Sequence, residues 1–330
     1  MLKNTIYIRV DGDSGKYSGL GHIYRSLALY KNLKKILKNF KFVFLSKYSV
    51  GIKIIKKETK EKKIKYSLNN VSKLKFNKDD IFIIDTLGAD KNLLKFLNKF
   101  KVKKISFDET NIKLFKTGIV INGIYFAKKM IQKNNKVKIF QSPKYIIFNE
   151  DYLQKTKIKD FDVSNLTALV CSGGADYNNF LYNISSKIVN SKIKKIYVVI
   201  GKAVKKDNKI FKFTSKKIKK IMNMHPLKKI IMKSDLVICS GGTIMFEALS
   251  QGKKPHIFLD IVNQKHAINF FSKKNLIKNY QKPTLKNIFK LKKNIEKIKK
   301  YDCTLIKKYQ NFVDGKGLNR CVKIISDYVN

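Results

Sequence analysis

The amino-acid sequence predicts an α/β protein of two Rossmann-like domains, each built on a parallel sheet and facing the other across a cleft. Three observations predict it. Short, near-continuous apolar runs alternate with stretches of helical spacing, the pattern of parallel strands covered on both faces. The pattern fades near residues 150–165 and restarts at "LTALVCSGGAD". In both halves strands run into glycine turns that open helices, at the carboxyl strand ends where open α/β sheets take ligands. The expected boundaries are 1–155 for the first domain and 156–315 for the second, with 316–330 a final helix returning to the first.

The elements follow in order. "TIYIRV" (5–10) is a buried strand that ends at Asp11-Gly12. A loop leads to a helix over about 22–39, with Ile23, Leu27, Leu33, Ile36 and Leu37 at helical spacing. "FKFVFL" (40–45) and "IFIID" (81–85) are strands, and a helical stretch lies around 90–99. "VKKISF" (102–107) and "GIVIN" (118–122) complete the first series. In the second half "LTALVCSGGAD" (166–176) is a strand and glycine loop, and "NFLYNISSKIV" opens a helix. "KKIYVVIG" (194–201), "LVICSGG" (236–242) and "PHIFLDI" (255–261) are strands. "TIMFEALSQG" (243–252) is a helix stopped by Gly252, and helices fill the remainder. The Lys-rich stretches 56–66 and 291–301 read as exposed helix surfaces. "KYIIFNEDYL" (144–153) reads as a strand and linker.

Composition narrows the function. The chain has 330 residues, 44% hydrophobic, and a formal charge of +49 from 72 basic and 23 acidic residues. Such a charge points first to nucleic acid. Only Arg9, Arg25 and Arg320 are arginines, however, and base readout and phosphate clamping favour Arg. Lysine is spread evenly beside abundant Asn, Ile, Tyr and Phe, with no Trp. That is the signature of A/T-rich codons carried on solvated faces. No nucleic-acid partner is therefore expected, and a basic nucleic-acid-binding protein is a distant alternative. In such a chain the three arginines mark places where lysine did not suffice.

No apolar run approaches the roughly 18 residues of a membrane span. "MLKNTIYIRVDGD" lacks the apolar region and cleavage site of a signal peptide, so the expected compartment is the cytoplasm. Cys171, Cys239, Cys303 and Cys321 show no CxxC spacing, which argues against a zinc site or disulfide framework. No metal and no cofactor are expected.

Three glycine turns carry candidate chemistry. Gly19-Leu20-Gly21-His22 delivers the chain into a helix N-terminus, where free N–H groups and the positive dipole end suit a diphosphate. That positive pole disfavours a charged imidazole, leaving His22 able to accept a proton. The other reading is a histidine that merely starts a helix. "SGGTIMFE" places Ser240, Gly241, Gly242 and Thr243 at a strand-to-helix turn, with Glu247 about one turn in. Glu247 either accepts from a ribose diol or is a surface residue. In "SGGAD", Gly173 and Gly174 allow close backbone approach to a ligand, and Asp176 caps the next helix more readily than it catalyses. None of the turns is a Walker A or a full GxGxxG, which disfavours a dinucleotide.

Asp85 ends its strand at the cleft. It orients His22 or a sugar hydroxyl, or caps the next helix. "DGDSG", with Asp11 and Asp13, fails as a calcium loop because His22 stands where the bidentate Glu belongs. His225, His256 and His266 show no ligand spacing and read as structural, although His266 lies near Asn263 and Gln264, which face the same cleft. No nucleophile elbow is present.

"GLGHIYRS", "CSGGADYNN", "CSGGTIMFEAL" with "VNQKHA", and "VDGKGLNR" together resemble the PseG family. These are the UDP-2,4-diacetamido-2,4,6-trideoxy-β-L-altropyranose hydrolases of pseudaminic acid biosynthesis. The wider resemblance is to GT-B fold enzymes using UDP-sugars, including the N-acetylglucosaminyl transferase of peptidoglycan synthesis. It runs from about residue 5 to residue 325.

The resemblance implies a GT-B-like fold and cleavage of a UDP-sugar with water as the acceptor. His22 would activate the water for attack on the anomeric carbon, and UDP would leave with inversion and without a metal. The glycine loops of the second domain would hold the nucleotide and Glu247 the ribose. Asn263 and Gln264 would lie near the sugar or phosphate. Arg25 would fix the loop or an acidic neighbour, and Arg320 would tie the last helix back. Two segments depart from the family pattern: the loop before Gly19 is long, and "IIDT" is followed by "LGAD" where an aromatic is expected. The alternative is a glycosyltransferase of the same fold using a UDP-sugar donor.

Overall fold

The computed structural model describes residues 4–12, 20–86, 90–107, 116–124, 136–148, 150–153, 163–176, 178–224, 226–299 and 311–329. The chain divides into two compact units, Met1–Glu150 with Lys316–Asn330, and Asp151–Gly315.

The first unit is a parallel sheet of seven strands in the order β3-β2-β1-β4-β5-β6-β7. They are β1 (Thr5–Val10), β2 (Lys41–Ser46), β3 (Lys62–Lys65), β4 (Ile81–Asp85), β5 (Lys103–Phe107), β6 (Gly118–Asn122) and β7 (Val137–Gln141). The helices are α1 (Gly21–Ile36), α2 (Ser49–Glu58), α3 (Leu68–Ser72) and α4 (Lys91–Leu97). Strand side chains alternate between faces. Ile6, Ile8, Val10, Ile81 and Ile83 pack with Ile23, Leu27, Tyr30 and Leu33 of α1. Tyr7, Phe82 and Ile84 pack on the other side with Leu93, Leu94 and Leu97 of α4. The strand order reverses between β1 and β4, whose ends are in register at Val10 and Asp85.

The second unit has six parallel strands in the order β10-β9-β8-β11-β12-β13. They are β8 (Thr167–Cys171), β9 (Lys195–Ile200), β10 (Ile218–Met222), β11 (Leu236–Ser240), β12 (His256–Phe258) and β13 (Lys278–Asn279). The helices are α5 (Phe180–Ile188), α6 (Lys228–Lys233), α7 (Thr243–Ser250), α8 (Lys265–Lys273) and α9 (Leu285–Glu296). Here the order reverses between β8 and β11. The last helix, α10 (Gly317–Val329), belongs to the first unit. Its Leu318, Cys321, Val322 and Ile325 complete the α1-side core, and Arg320 Nη1 donates to the Lys144 carbonyl at 3.0 Å.

The structure corrects several sequence expectations. Residues 56–66 are not one exposed helix: α2 ends at Glu58 and Lys62–Lys65 form edge strand β3. Lysines flanking a short edge are a common protection against further pairing. The strand expected over 255–261 holds only at His256–Phe258, because its neighbour β13 is two residues long.

The described residues of "KYIIFNEDYL" form no strand. Two 3-10 turns, Pro143–Tyr145 and Glu150–Leu153, flank Ile146, Ile147 and Phe148, which are buried by packing rather than by a ladder. Ile146 is pressed between two glycines: a methyl group at Gly317 would lie 1.9 Å from its carbonyl oxygen, and one at Gly123 2.9 Å from its nitrogen. The helix expected over 22–39 stops at Ile36. Among the described residues no helix is long and apolar enough to cross a membrane, and no cluster of three His, Cys, Asp or Glu could hold a metal ion.

Candidate active site

The first cluster of chemical interest lies where the strand order of the first unit reverses, the place where open α/β sheets take ligands. Alternation along β4 turns Asp85 to the same face as Ile81 and Ile83, toward α1. On α1, His22, Arg25 and Ser26 stand at i, i+3 and i+4, so one helix face carries all three to that carboxylate.

His22 Nδ1 lies 2.6 Å from Asp85 Oδ1. Arg25 Nε donates to Oδ2 at 2.6 Å, and Arg25 Nη2 donates to Oδ1. Ser26 Oγ donates to Oδ2 at 3.0 Å. Four donors meet a carboxylate with about four lone-pair sites. Its capacity is filled within the protein, so Asp85 orients the histidine, whereas Asp90 caps α4 through the Leu93 amide.

Asp85 is 2% exposed. Burial alone would raise its pKa, but the Arg25 guanidinium and the hydrogen bonds from Arg25 and His22 outweigh it and hold the carboxyl well below the usual range. An ionised oxygen 2.6 Å from Nδ1 requires the proton on Nδ1, since two lone pairs would repel at that distance. The lone pair of the neutral ring then sits on Nε2. Asp85, rather than the helix pole alone, selects that tautomer. Arg25 Nη2 is 3.2 Å from the same Nδ1, each aiming its hydrogen at Asp85. Lysine has neither the side-on fork nor the flat face that lies 5.8 Å from the Phe107 ring centre. Gly21 opens α1 at an exposed position, while Gly19 and Asp13 lie outside the described residues.

The second cluster lies at the reversal of the other sheet. Ser240 Oγ, at the end of β11, donates to the Ser172 carbonyl at 2.9 Å and so ties two glycine turns together. Gly173 has φ +103, and a methyl group there would meet nothing within 4 Å. The backbone angle, rather than crowding, demands glycine. Gly174 accepts from the Ala203 amide at 2.9 Å, and Gly201 packs directly on the carbonyls of Gly173 and Gly174.

Gly241 N donates to Gln264 Oε1 at 3.1 Å, so Gln264 braces this turn. Gly242 precedes Thr243, the first residue of α7, and Asn263 lies in the 3-10 turn Val262–Gln264. Asp176 accepts from the amides of Phe180 and Leu181 at 2.7 and 3.2 Å, the capping role expected of it.

Glu247 is 6% exposed, on α7, beside the Tyr152 hydroxyl. Burial pushes its carboxyl up to about 7, and the neighbouring Tyr152 hydroxyl acts in the opposite direction. Cys171 and Cys239 are in register beneath the turns, and burial pushes the Cys171 thiol up to about 12, which makes it a poor nucleophile. His256 is buried against Tyr280, with Nδ1 3.0 Å from the hydroxyl, and His266 is exposed on α8. His225 and Cys303 lie outside the described residues.

Sequence reasoning missed Ser26 and Tyr152. Ser26 carried a signal, since it follows His22 by one helical turn. Tyr152 carried none, being far from Glu247 along the chain.

Comparison with known proteins adds five findings. Residues 167–322 match the glycosyltransferase family 28 C-terminal domain. The chain is 32% identical over 265 residues to an uncharacterized protein of Methanocaldococcus jannaschii, covering 74% of this chain and 54% of that protein. It therefore spans about half the length of that relative. It is 24% identical over 273 residues to the UDP-2,4-diacetamido-2,4,6-trideoxy-beta-L-altropyranose hydrolase of Campylobacter jejuni, covering 79% of this chain and 94% of that enzyme. Among solved structures it resembles Acinetobacter baumannii MurG, with a TM-score of 0.65 at 12% identity, covering 98% of this chain and 99% of that one. It also resembles Arabidopsis thaliana UGT89C1 complexed with UDP, at 0.64 and 10%, covering 97% and 99%. The fold is GT-B-like, and the resemblance to the PseG family stands on these matches together.

Proposed function

We propose that this chain is a UDP-sugar enzyme of GT-B type that hydrolyses its substrate at the anomeric carbon, releasing UDP and the free sugar. The sugar class favoured by the Campylobacter relative is a deoxy-acetamido sugar on the way to a nonulosonic, pseudaminic-type acid.

One observation carries the reading. The 2.6 Å contact of His22 Nδ1 with a buried, ionised Asp85 leaves Nε2 as a proton acceptor. Nε2 takes a proton from water as the water oxygen bonds to the anomeric carbon. The bond from that carbon to the diphosphate oxygen breaks on the opposite face, which inverts the centre. Asp85 stabilises the imidazolium that forms, and Arg25 and Ser26 keep the carboxylate in place. The turns Ser172–Gly174 and Ser240–Thr243 of the second unit would steady the departing diphosphate through backbone amides and the start of α7. Glu247 would take the ribose by accepting from a hydroxyl. No step calls for a metal.

The match to a glycosyltransferase C-terminal domain supports a second reading, transfer of the sugar to another hydroxyl. UDP release from a panel of UDP-sugars, with and without candidate acceptors, separates the two. Hydrolysis predicts release at full rate in water alone. His22→Asn is expected to remove turnover by about a thousandfold or more while UDP affinity stays within about twofold. Full hydrolysis by that variant would end the assignment of the base.

A further inference from the structure

On the other face of β1 stands a second polar cluster that this chemistry leaves unused. Arg9, 3% exposed, holds both oxygens of Asp11 through Nη1 and Nη2, at 2.6 and 2.7 Å. Its guanidinium carbon lies 3.7 Å from the centre of the Tyr66 ring. The Tyr66 hydroxyl donates to Asp90, which caps α4. Asp11 Oδ1 also accepts from the Lys47 amide at 2.9 Å, which ties the exit of β1 to the exit of β2. One residue later the Gly12 carbonyl accepts from Gly51 of α2 at 3.1 Å. Gly12 packs so tightly on α1 that a methyl group there would lie 2.4 Å from Ile23 Cγ1. Ile23 is the neighbour of His22, and Val10, between Arg9 and Asp11, is in register with Asp85.

The chain leaving β1 is thus fixed at Asp11 by a fork, at Gly12 by a backbone bond, and at Ile23 by contact. Each restraint bears on where α1 begins relative to β4. In a chain with 72 basic residues, this one is an arginine because the position needs a fork and a flat face together. Lysine supplies charge alone.

We propose that Arg9, clamped on Asp11 and stacked on Tyr66, is a positioning residue that sets the register of His22 against Asp85. The proposal rests on the reading of His22 as the base. A small displacement of a proton acceptor from the reacting atom slows the chemical step and leaves binding alone. The second unit is untouched by the change.

The test compares Arg9→Lys and Asp11→Asn with the wild-type chain in two ways. The first is steady-state turnover of a UDP-sugar together with UDP affinity. Both variants are expected to lose about 10- to 100-fold in kcat, with KM and UDP affinity within about twofold. The second is the imidazole nitrogen spectrum of His22 without substrate. It is expected to show Nδ1–H exchanging faster and the ring shifts moved in both variants.

This second readout needs no turnover. If the wild-type chain cleaves no nucleotide sugar, the proposed function fails while the spectrum still decides the role of Arg9. Folded variants with wild-type kcat and an unchanged His22 spectrum would overturn the proposal. So would a fall in kcat matched by an equal loss of UDP affinity. If Arg9→Lys does not fold, Asp11→Asn alone decides, and if neither folds the cluster is structural and the proposal is wrong.

Discussion

Where β1 and β4 end, the first unit gathers a histidine, an arginine, a serine and an ionised acid within hydrogen-bond distance of one another. Where β8 and β11 end, the second unit offers glycine turns joined by one serine hydroxyl, with an acid buried on the helix behind. Both places are reversals of strand order in parallel sheets. The same topology has been finished with different materials. Side chains fixed by a buried charge suit proton movement, and backbone held close by glycine suits an anion. In the proposed reaction one unit does the chemistry and the other does the holding.

The contrast can be broken from either side. The largest effect is expected at Asp85→Asn. It removes the charge that fixes the histidine tautomer and leaves Arg25 without its counter-ion. Turnover should fall about 10³- to 10⁴-fold, and stability should drop by about 3 kcal/mol, read from urea unfolding. UDP affinity should be unchanged, and a parallel loss of it would show that the two units do not divide the work.

Next is Glu247→Gln. The buried carboxyl keeps its proton up to about 7, whereas the unfolded chain releases it near 4.5. Between those values the folded state binds the extra proton, so stability falls as pH rises. The wild-type chain should lose of order 3 kcal/mol relative to the Gln variant between pH 5 and pH 8. Parallel urea midpoints of the two proteins across that range would show that Glu247 ionises freely.

A smaller loss is expected at Gly201→Ala, where the new methyl group would lie 2.4 Å from the Gly174 carbonyl oxygen. Backbone must move, at a cost of about 2 kcal/mol, and UDP affinity should fall about tenfold while the His22 spectrum stays unchanged. The smallest is Gly242→Ala, whose methyl group would meet Gln264 Nε2 at 3.7 Å and Ser240 Oγ at 3.8 Å. Ordinary contacts predict a stability change within about 0.5 kcal/mol.

Much of this was legible in the sequence because its signals are local. Strands β1, β2, β4, β8, β9 and β11 are apolar runs buried on both faces, and the glycine turns follow three of them. The scarcity of arginine picked out Arg9 and Arg25, both of which use the guanidinium fork. The edges were not legible. β3 reads "KKIK" and β10 "IKKIM", and lysine at that density hides alternation. Asp85 stayed open because a strand-end acid fits a cap as well as a histidine partner, and the cap fell to Asp90 five residues later. The pairing of Glu247 with Tyr152 follows from tertiary packing alone.

The placement of α10 has a consequence for how the protein is made. Leu318, Cys321, Val322, Ile325 and Val329 close a core whose other buried members all precede residue 150. Residues 151–315, a stretch of 165, are translated in between. At typical synthesis rates that is roughly ten to thirty seconds during which the first unit waits on the ribosome with an open apolar groove. The second unit, contiguous in the chain, can finish folding first, so nascent molecules pass through a stage in which the glycine turns exist before the histidine's home is sealed.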